Sequence, residues 1–163
     1  MPENFSIIEL TDRHDPAWVE VEKLFIEMYE FMSGHGLVLG LSDDGHSQWI
    51  DSVKRGLGRF GVLFTCTEGE EITGFAHGSI RLTPDYMGNK KMGVITHIHM
   101  KEGRRKRGSG TALVKALELW FDSKDVHSVE LQVLSANHTA IGFWEKLGYY
   151  QELHQYRKVR DDL

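Results

Sequence analysis

The chain has 163 residues, 40% hydrophobic and 26% charged, with a net charge of −5. That is enough for one domain with a full core, and the wrong charge balance for a surface built around nucleic acid or acidic membrane. The single cysteine, Cys66, rules out an intrachain disulfide framework and fits a reducing compartment; it follows the apolar run Val62, Leu63, Phe64, so a buried, inert thiol is expected. No stretch resembles a leader or a membrane span, so a single cytoplasmic domain over residues 1–163 is the expectation.

In chain order, residues 5–10 form a short apolar strand. Asp15 and Pro16 then supply a cap and a proline suited to a first helical turn. Trp18, Val21, Leu24, Phe25, Met28 and Met32 recur at helical spacing, which predicts a first helix ending near Met32, where Ser33, Gly34, His35 and Gly36 stop it. Residues 37–41 are apolar but glycine-broken and read as a loop lining a pocket. Trp49, Ile50, Val53 and Leu57 mark a second helix. Strands over residues 62–67 and 72–82 are joined by the polar turn at Glu68, Gly69, Glu70 and Glu71. A turn at residues 84–89 leads to a β-branched strand ending at Met100.

The stretch that follows is the most informative. Lys101, Arg104, Arg105, Lys106 and Arg107 stand against Glu102 alone, and Gly108, Ser109 and Gly110 lead into a strong helix from Thr111 to about Phe121. A strand, a glycine-containing turn and a helix N-terminus together form an anion site, because unpaired amides converge there and the helix dipole favours negative charge. Val129, Leu131 and Val133 then alternate with polar residues as a half-buried strand. Asn137 caps a helix over residues 139–147, Gly148 ends it, and residues 149–159 read as a closing strand. The order β-α-α-β-β-β-α-β-α-β implies a mixed sheet with helices on both faces.

Two motifs carry a resemblance. One is Arg105-Lys106-Arg107-Gly108-Ser109-Gly110, an Arg-x-x-Gly-x-Gly pattern. The other runs from Asn137 through His138, Thr139, Ala140, Ile141, Gly142, Phe143, Trp144, Glu145, Lys146 and Leu147 to Gly148 and Tyr149. With the helix and strand between them, they resemble the GCN5-related N-acetyltransferase (GNAT) superfamily. The resemblance covers most of the chain from Val62 onward. It implies a mixed α+β fold: a mostly antiparallel sheet of six to seven strands, with two parallel strands (residues 91–100 and 126–134) splayed around the cofactor. It implies an acetyl-CoA-dependent N-acetyltransferase acting on a primary amine, either a small cationic amine or a protein amine, by direct attack in a ternary complex. A catalytically degenerate acyl-CoA-binding module or sensor is the alternative, and homodimer formation is allowed.

The same resemblance implies site residues. The pantetheine arm would pair with the backbone of Ile98 and Met100. The pyrophosphate would meet the amides of Arg105, Lys106, Arg107, Gly108, Ser109, Gly110 and Thr111. Asn137 and Trp144 would also contact the cofactor, and the Met100 amide would face the oxyanion. The chain departs from the family at two places. The strand from Val94 to Met100 has no carboxylate; His97 and His99, two residues apart on one face, are the candidate general bases. Trp144 stands where the family often has a tyrosine acid, and an indole N–H is not a usable acid. A His-x-His strand could also ligate zinc, but no third ligand is placed, so no metal is expected. Glu27, Tyr29 and Phe31 on the first helix are candidate acceptor contacts, with Glu30, Asp43 and Asp44 as further anionic partners for a cation. No nucleic-acid or membrane partner is expected.

Overall fold

The computed structural model describes residues 4–160. Its elements are β1 (Ser6–Glu9), α1 (Ala17–Ser33), α2 (Gly45–Gly56), β2 (Gly61–Glu68), β3 (Glu71–Leu82), β4 (Lys91–Met100), α3 (Ser109–Ser123), β5 (Ser128–Leu131) and α4 (His138–Lys146), with a single 3₁₀ turn at Asp85–Met87. The strands form one sheet in the order β1-β2-β3-β4-β5. Every neighbouring pair is antiparallel except β4 and β5, which run parallel.

The local rules account for most element ends. The Asp15 carboxylate accepts the Ala17 N–H at 2.8 Å and opens α1. Asn137 caps α4 by accepting the Ala140 N–H at 3.1 Å. Gly108, at φ +83°, supplies the left-handed residue that turns the chain into α3.

The sheet is covered on both faces, and period-two alternation divides its side chains. Leu63 and Phe75 join Val21, Phe25 and Ile50 in a core beneath α1 and α2. Their neighbours Val62 and Ala76 point the other way, to Leu113, Leu117 and Phe121 of α3. Helix α3 lies close against the strands: a Cβ on Gly93 would fall 2.8 Å from the Phe121 ring.

Two features correct the sequence expectation. The sheet has five strands, not six to seven, because residues 150–160 form no strand and are exposed throughout. The parallel strand expected over residues 126–134 is regular only over Ser128–Leu131. Residues 37–41 do form an irregular connection, as their glycines suggest.

Candidate active site

The pairing of β4 with β5 runs from Met92 opposite Ser128 to Ile95 opposite Leu131 and stops there. Beyond Ile95, β4 keeps its β3 partner but has an open edge on the β5 side. Backbone direction alternates along a strand. The Lys101 N–H donates to Thr73 O on the β3 side at 2.7 Å, so the N–H and C=O groups of Ile98 and Met100 face the open edge. The Met100 carbonyl accepts Arg105 Nε at 3.2 Å, and the Arg105 guanidinium lies 4.5 Å over the Phe31 ring.

The open edge leads into the loop of residues 101–108. Within it Gly103, Lys106 and Gly108 adopt left-handed backbone, at φ +81°, +65° and +83°. Among the described residues no acceptor meets the N–H groups of Arg105, Lys106, Arg107, Gly108, Ser109, Gly110 or Thr111. The Ser109 hydroxyl is buried at the first turn of α3 and also lacks a partner. These groups fit a polyanion.

Several basic side chains of this loop are paired within the protein. Arg104 donates to Glu68 Oε2 at 2.5 Å and Glu71 Oε2 at 3.0 Å; Arg107 lies 3.7 Å from Glu68; Lys101 pairs with Glu71 at 2.9 Å. Glu68 and Glu71, from the β2–β3 hairpin, clamp the loop. Lys106 is exposed, and no ion-pair partner meets it among the described residues.

The histidines owe their direction to a bulge. His77 pairs with His97, but Gly78 pairs with Ile95, so Thr96 is an extra residue on β4. Ile95 faces α3, and without the bulge His97 would do so too. Instead His97 turns towards α1 and α2, with ring centroids 5.2 Å from Phe25, 5.2 Å from Trp49 and 6.3 Å from Tyr29. Its Nδ1 lies 3.0 Å from Thr96 Oγ1, which also meets His77 Nδ1. Burial, then the neighbouring His77, push His97 down to about 3; burial alone takes His77 down to about 4. Both are neutral imidazoles at pH 7.

His99 has a different environment. It is 5% exposed, and its Nε2 has no hydrogen-bond partner among the described residues. That nitrogen lies 3.7 Å from Glu27 Oε2, beyond hydrogen-bond length but within ion-pair reach. Burial lowers His99 to about 4 while Glu27 opposes the shift. The Glu27 side chain is 35% exposed, at the rim where α1 meets the end of β4. Phe31, one turn on from Glu27 in α1, lies under the Arg105 guanidinium, whereas Tyr29 packs against Phe25 and His97. Glu30, Asp43 and Asp44 are exposed.

The α4 residues are placed apart from this cluster. Trp144 is buried in the α3-side core, 5.1 Å edge-on from both Phe143 and Tyr149. Asn137 is committed to its cap through its side-chain oxygen. The Tyr149 hydroxyl is pushed up to about 12, chiefly by burial and then by Glu118, which makes it a poorer acid than a free phenol. Among the described residues, no group of three or more His, Cys, Asp or Glu side chains is arranged to hold a metal ion. Sequence reasoning misses Glu68, Glu71, His77 and Thr96; only the bulge and the hairpin clamp reveal them.

Comparison with known proteins gives three findings. The family model described as "Acetyltransferase (GNAT) family" matches residues 18–149. No curated protein sequence matches the chain. Several solved structures share the fold. A tetramutant of BH1408 protein from Bacillus halodurans has TM-score 0.79 at 20% identity, covering 95% of this chain and 99% of that one. Aminoglycoside N-acetyltransferase AAC(6')-Iy, in complex with CoA, has TM-score 0.73 at 18% identity, covering 94% of each chain. The aminoglycoside acetyltransferase meta-AAC0020 from an uncultured soil metagenomic sample has TM-score 0.71 at 16% identity, covering 98% and 99%.

Proposed function

The chain belongs to the acetyltransferase (GNAT) family and is an N-acetyltransferase, and on that premise we propose that it moves the acetyl group of acetyl-CoA to a small cationic primary amine by direct attack in a ternary complex. One observation carries the reading. The open edge of β4 runs straight into a loop of acceptor-free amides, and the Glu27–His99 pair stands at the same strand end.

When bound, acetyl-CoA supplies an activated thioester; the rest is the work of this chain. The amides of residues 105–111 hold the pyrophosphate at the positive end of α3, and Gly108 keeps the turn that aims them. The backbone of Ile98 and Met100 binds the pantetheine arm as a further strand would. The Met100 N–H, fixed by the sheet, donates to the oxyanion that develops on attack. Arg105 must release the Met100 carbonyl for that edge to be used in full.

Glu27 receives the acceptor's ammonium. An alkylammonium has a pKa of about 10.4, so it needs a base to release its lone pair. His99 is that base. Its buried Nε2 is free and points towards Glu27, and the carboxylate stabilises the imidazolium formed when the proton arrives. His97 is a packing residue in this reading, walled by Phe25, Tyr29 and Trp49. With Trp144 in the core, no acid from α4 is needed: a thiol has a pKa of about 8.5, so the thiolate leaves unaided.

The aminoglycoside acetyltransferase folds and the anionic rim of α1 favour a polyamine or aminoglycoside over a protein lysine. The burial of Trp144 is the observation that keeps a second reading, a binding module without turnover.

A thiol-release assay with acetyl-CoA across aminoglycosides, linear polyamines and lysine peptides tests the proposal. Turnover is expected with at least one small polycation, with kcat lowered about 100-fold in His99→Gln. Glu27→Gln is expected to raise the acceptor KM and lower kcat together. Thermal stabilisation by CoA without release of thiol from any amine would support the binding module instead. Full turnover in both variants would remove the pair from the mechanism.

A further inference from the structure

Arg105 stands apart from its neighbours in the loop. Lys101, Arg104 and Arg107 pair with Glu68 or Glu71, but Arg105 meets no carboxylate within ion-pair distance among the described residues. Its guanidinium lies 4.5 Å over the Phe31 ring, and its Nε donates to the Met100 carbonyl at 3.2 Å. The seat itself is fixed. The His35 ring also stacks on Phe31, at 4.2 Å, and its Nδ1 donates to the Phe31 carbonyl at 2.9 Å.

Both contacts fall where the proposed reaction needs room. The Met100 carbonyl belongs to the strand edge read as the pantetheine site. Phe31 follows Glu27 by one helical turn, so its ring and that carboxylate share a face of α1. An aromatic face beside a carboxylate suits an alkylammonium. Glu27 Oε2 is in turn 3.7 Å from His99 Nε2. Burial comes first in holding His99 below its usual range, and the nearby Arg105 charge adds to it. One side chain thus bears on the cofactor edge, the acceptor wall and the surroundings of the base.

We propose, on the cofactor reading above, that Arg105 is a gate shared by the two substrates: seated on Phe31 it closes both the pantetheine edge and the acceptor's cation seat, and the cofactor pyrophosphate draws it off both. What holds it on Phe31 is weak. A cation over an aromatic ring near the surface contributes a factor of about two to five, and a neutral carbonyl is a lesser partner than a charged oxygen. A pyrophosphate on the amides of residues 105–111 meets the loop that carries Arg105, and a guanidinium fork matches phosphate oxygens. Its departure uncovers Phe31 for the acceptor's ammonium and takes a positive charge from beside His99. By linkage, an acceptor that displaces Arg105 tightens cofactor binding by the same factor.

Phe31→Leu removes the seat and leaves Arg105 its charge, so calorimetric titration with CoA alone should show binding about two- to fivefold tighter than in the unmodified chain. 4-Fluorophenylalanine at position 31 reports the seat directly. Saturating CoA should move its fluorine resonance to where Arg105→Gln places it, and should move it little further in that variant. Butylammonium, titrated against the same resonance at constant ionic strength, should half-saturate at about threefold lower concentration with CoA present, and equally with or without CoA in Arg105→Gln. An unchanged or weaker CoA affinity in Phe31→Leu overturns the gate. So does a resonance that bound CoA leaves in place, or a butylammonium response indifferent to CoA. The CoA measurements use no acceptor, so absence of turnover on every amine would count against the acceptor reading alone. Failure of CoA to bind any variant would remove the cofactor site and the gate together.

Discussion

His77 and His97 make the folded protein sensitive to mild acid through their burial. The unfolded chain takes up protons at about pH 6.5 per histidine, whereas the folded pair waits until about 4 and about 3. Between those limits the unfolded state binds more protons, so stability falls as pH falls, by about 1.4 kcal/mol per pH unit for each histidine. Above pH 6.5 both states are neutral at these sites and the dependence vanishes. Denaturant midpoints measured from pH 7.5 down to pH 5 should therefore be flat at first and then drop. His97→Phe, an aromatic ring placed among Phe25, Tyr29 and Trp49, should remove one histidine's share of that slope. An unchanged slope in this variant would show that His97 already titrates near its ordinary value in the folded state.

At the level of elements, the loop before α3 depends on a hairpin more than thirty residues upstream. Arg104 reaches Glu68 across a separation of 36 positions and Glu71 across 33. The Glu68 side chain is only 13% exposed, so its pairs with Arg104 and Arg107 are screened less than surface ion pairs. The clamp fixes the loop, which on the proposed reading lowers the ordering needed when the cofactor binds. Glu68→Ala frees Arg104 and Arg107, whose charges would themselves attract a pyrophosphate, so two effects oppose each other. The pre-organised backbone should win, because it contributes several aligned donors at once and the freed side chains must be ordered first. The expected result is an acetyl-CoA KM raised about three- to tenfold with kcat within twofold, read from steady-state kinetics at saturating amine. A lower KM would mean that side-chain charge, not loop geometry, limits cofactor binding.

Across the whole molecule, what is legible in the sequence is what is local in it. The loop from Arg105 to Gly110 and the Asn137 cap announce themselves, because a turn, a helix start and a cap each need particular residue types at short spacing. The facing of the histidines depends on Thr96 being skipped in the β3 register, which alternation alone does not signal. The clamp by Glu68 and Glu71 joins segments far apart in sequence, and a polar turn gives no hint of its partner. Residues 149–159 carry strand-like side chains, but pairing is decided by which edge the segment meets, and residues 150–160 join no strand of the sheet. The net charge of −5 is legible too, and the fold gives it a direction. Glu27, Glu30, Asp43 and Asp44 belong to α1 and the approach to α2, with Glu27 at the rim and the other three exposed, while Lys101, Arg104 and Arg107 of the loop are paired with Glu68 and Glu71. If the acceptor is cationic, as proposed, it approaches an anionic rim, and this attraction should show as a salt dependence of kcat/KM. Raising ionic strength from about 0.01 M to 0.15 M shortens the screening length from about 30 Å to 8 Å. A tetra-amine should lose about tenfold in kcat/KM, a mono-amine about twofold, and kcat at saturation should hold for both, because the rim acts on encounter and binding. Equal losses for the two amines would place the attraction at one contact, Glu27, instead of the rim as a whole.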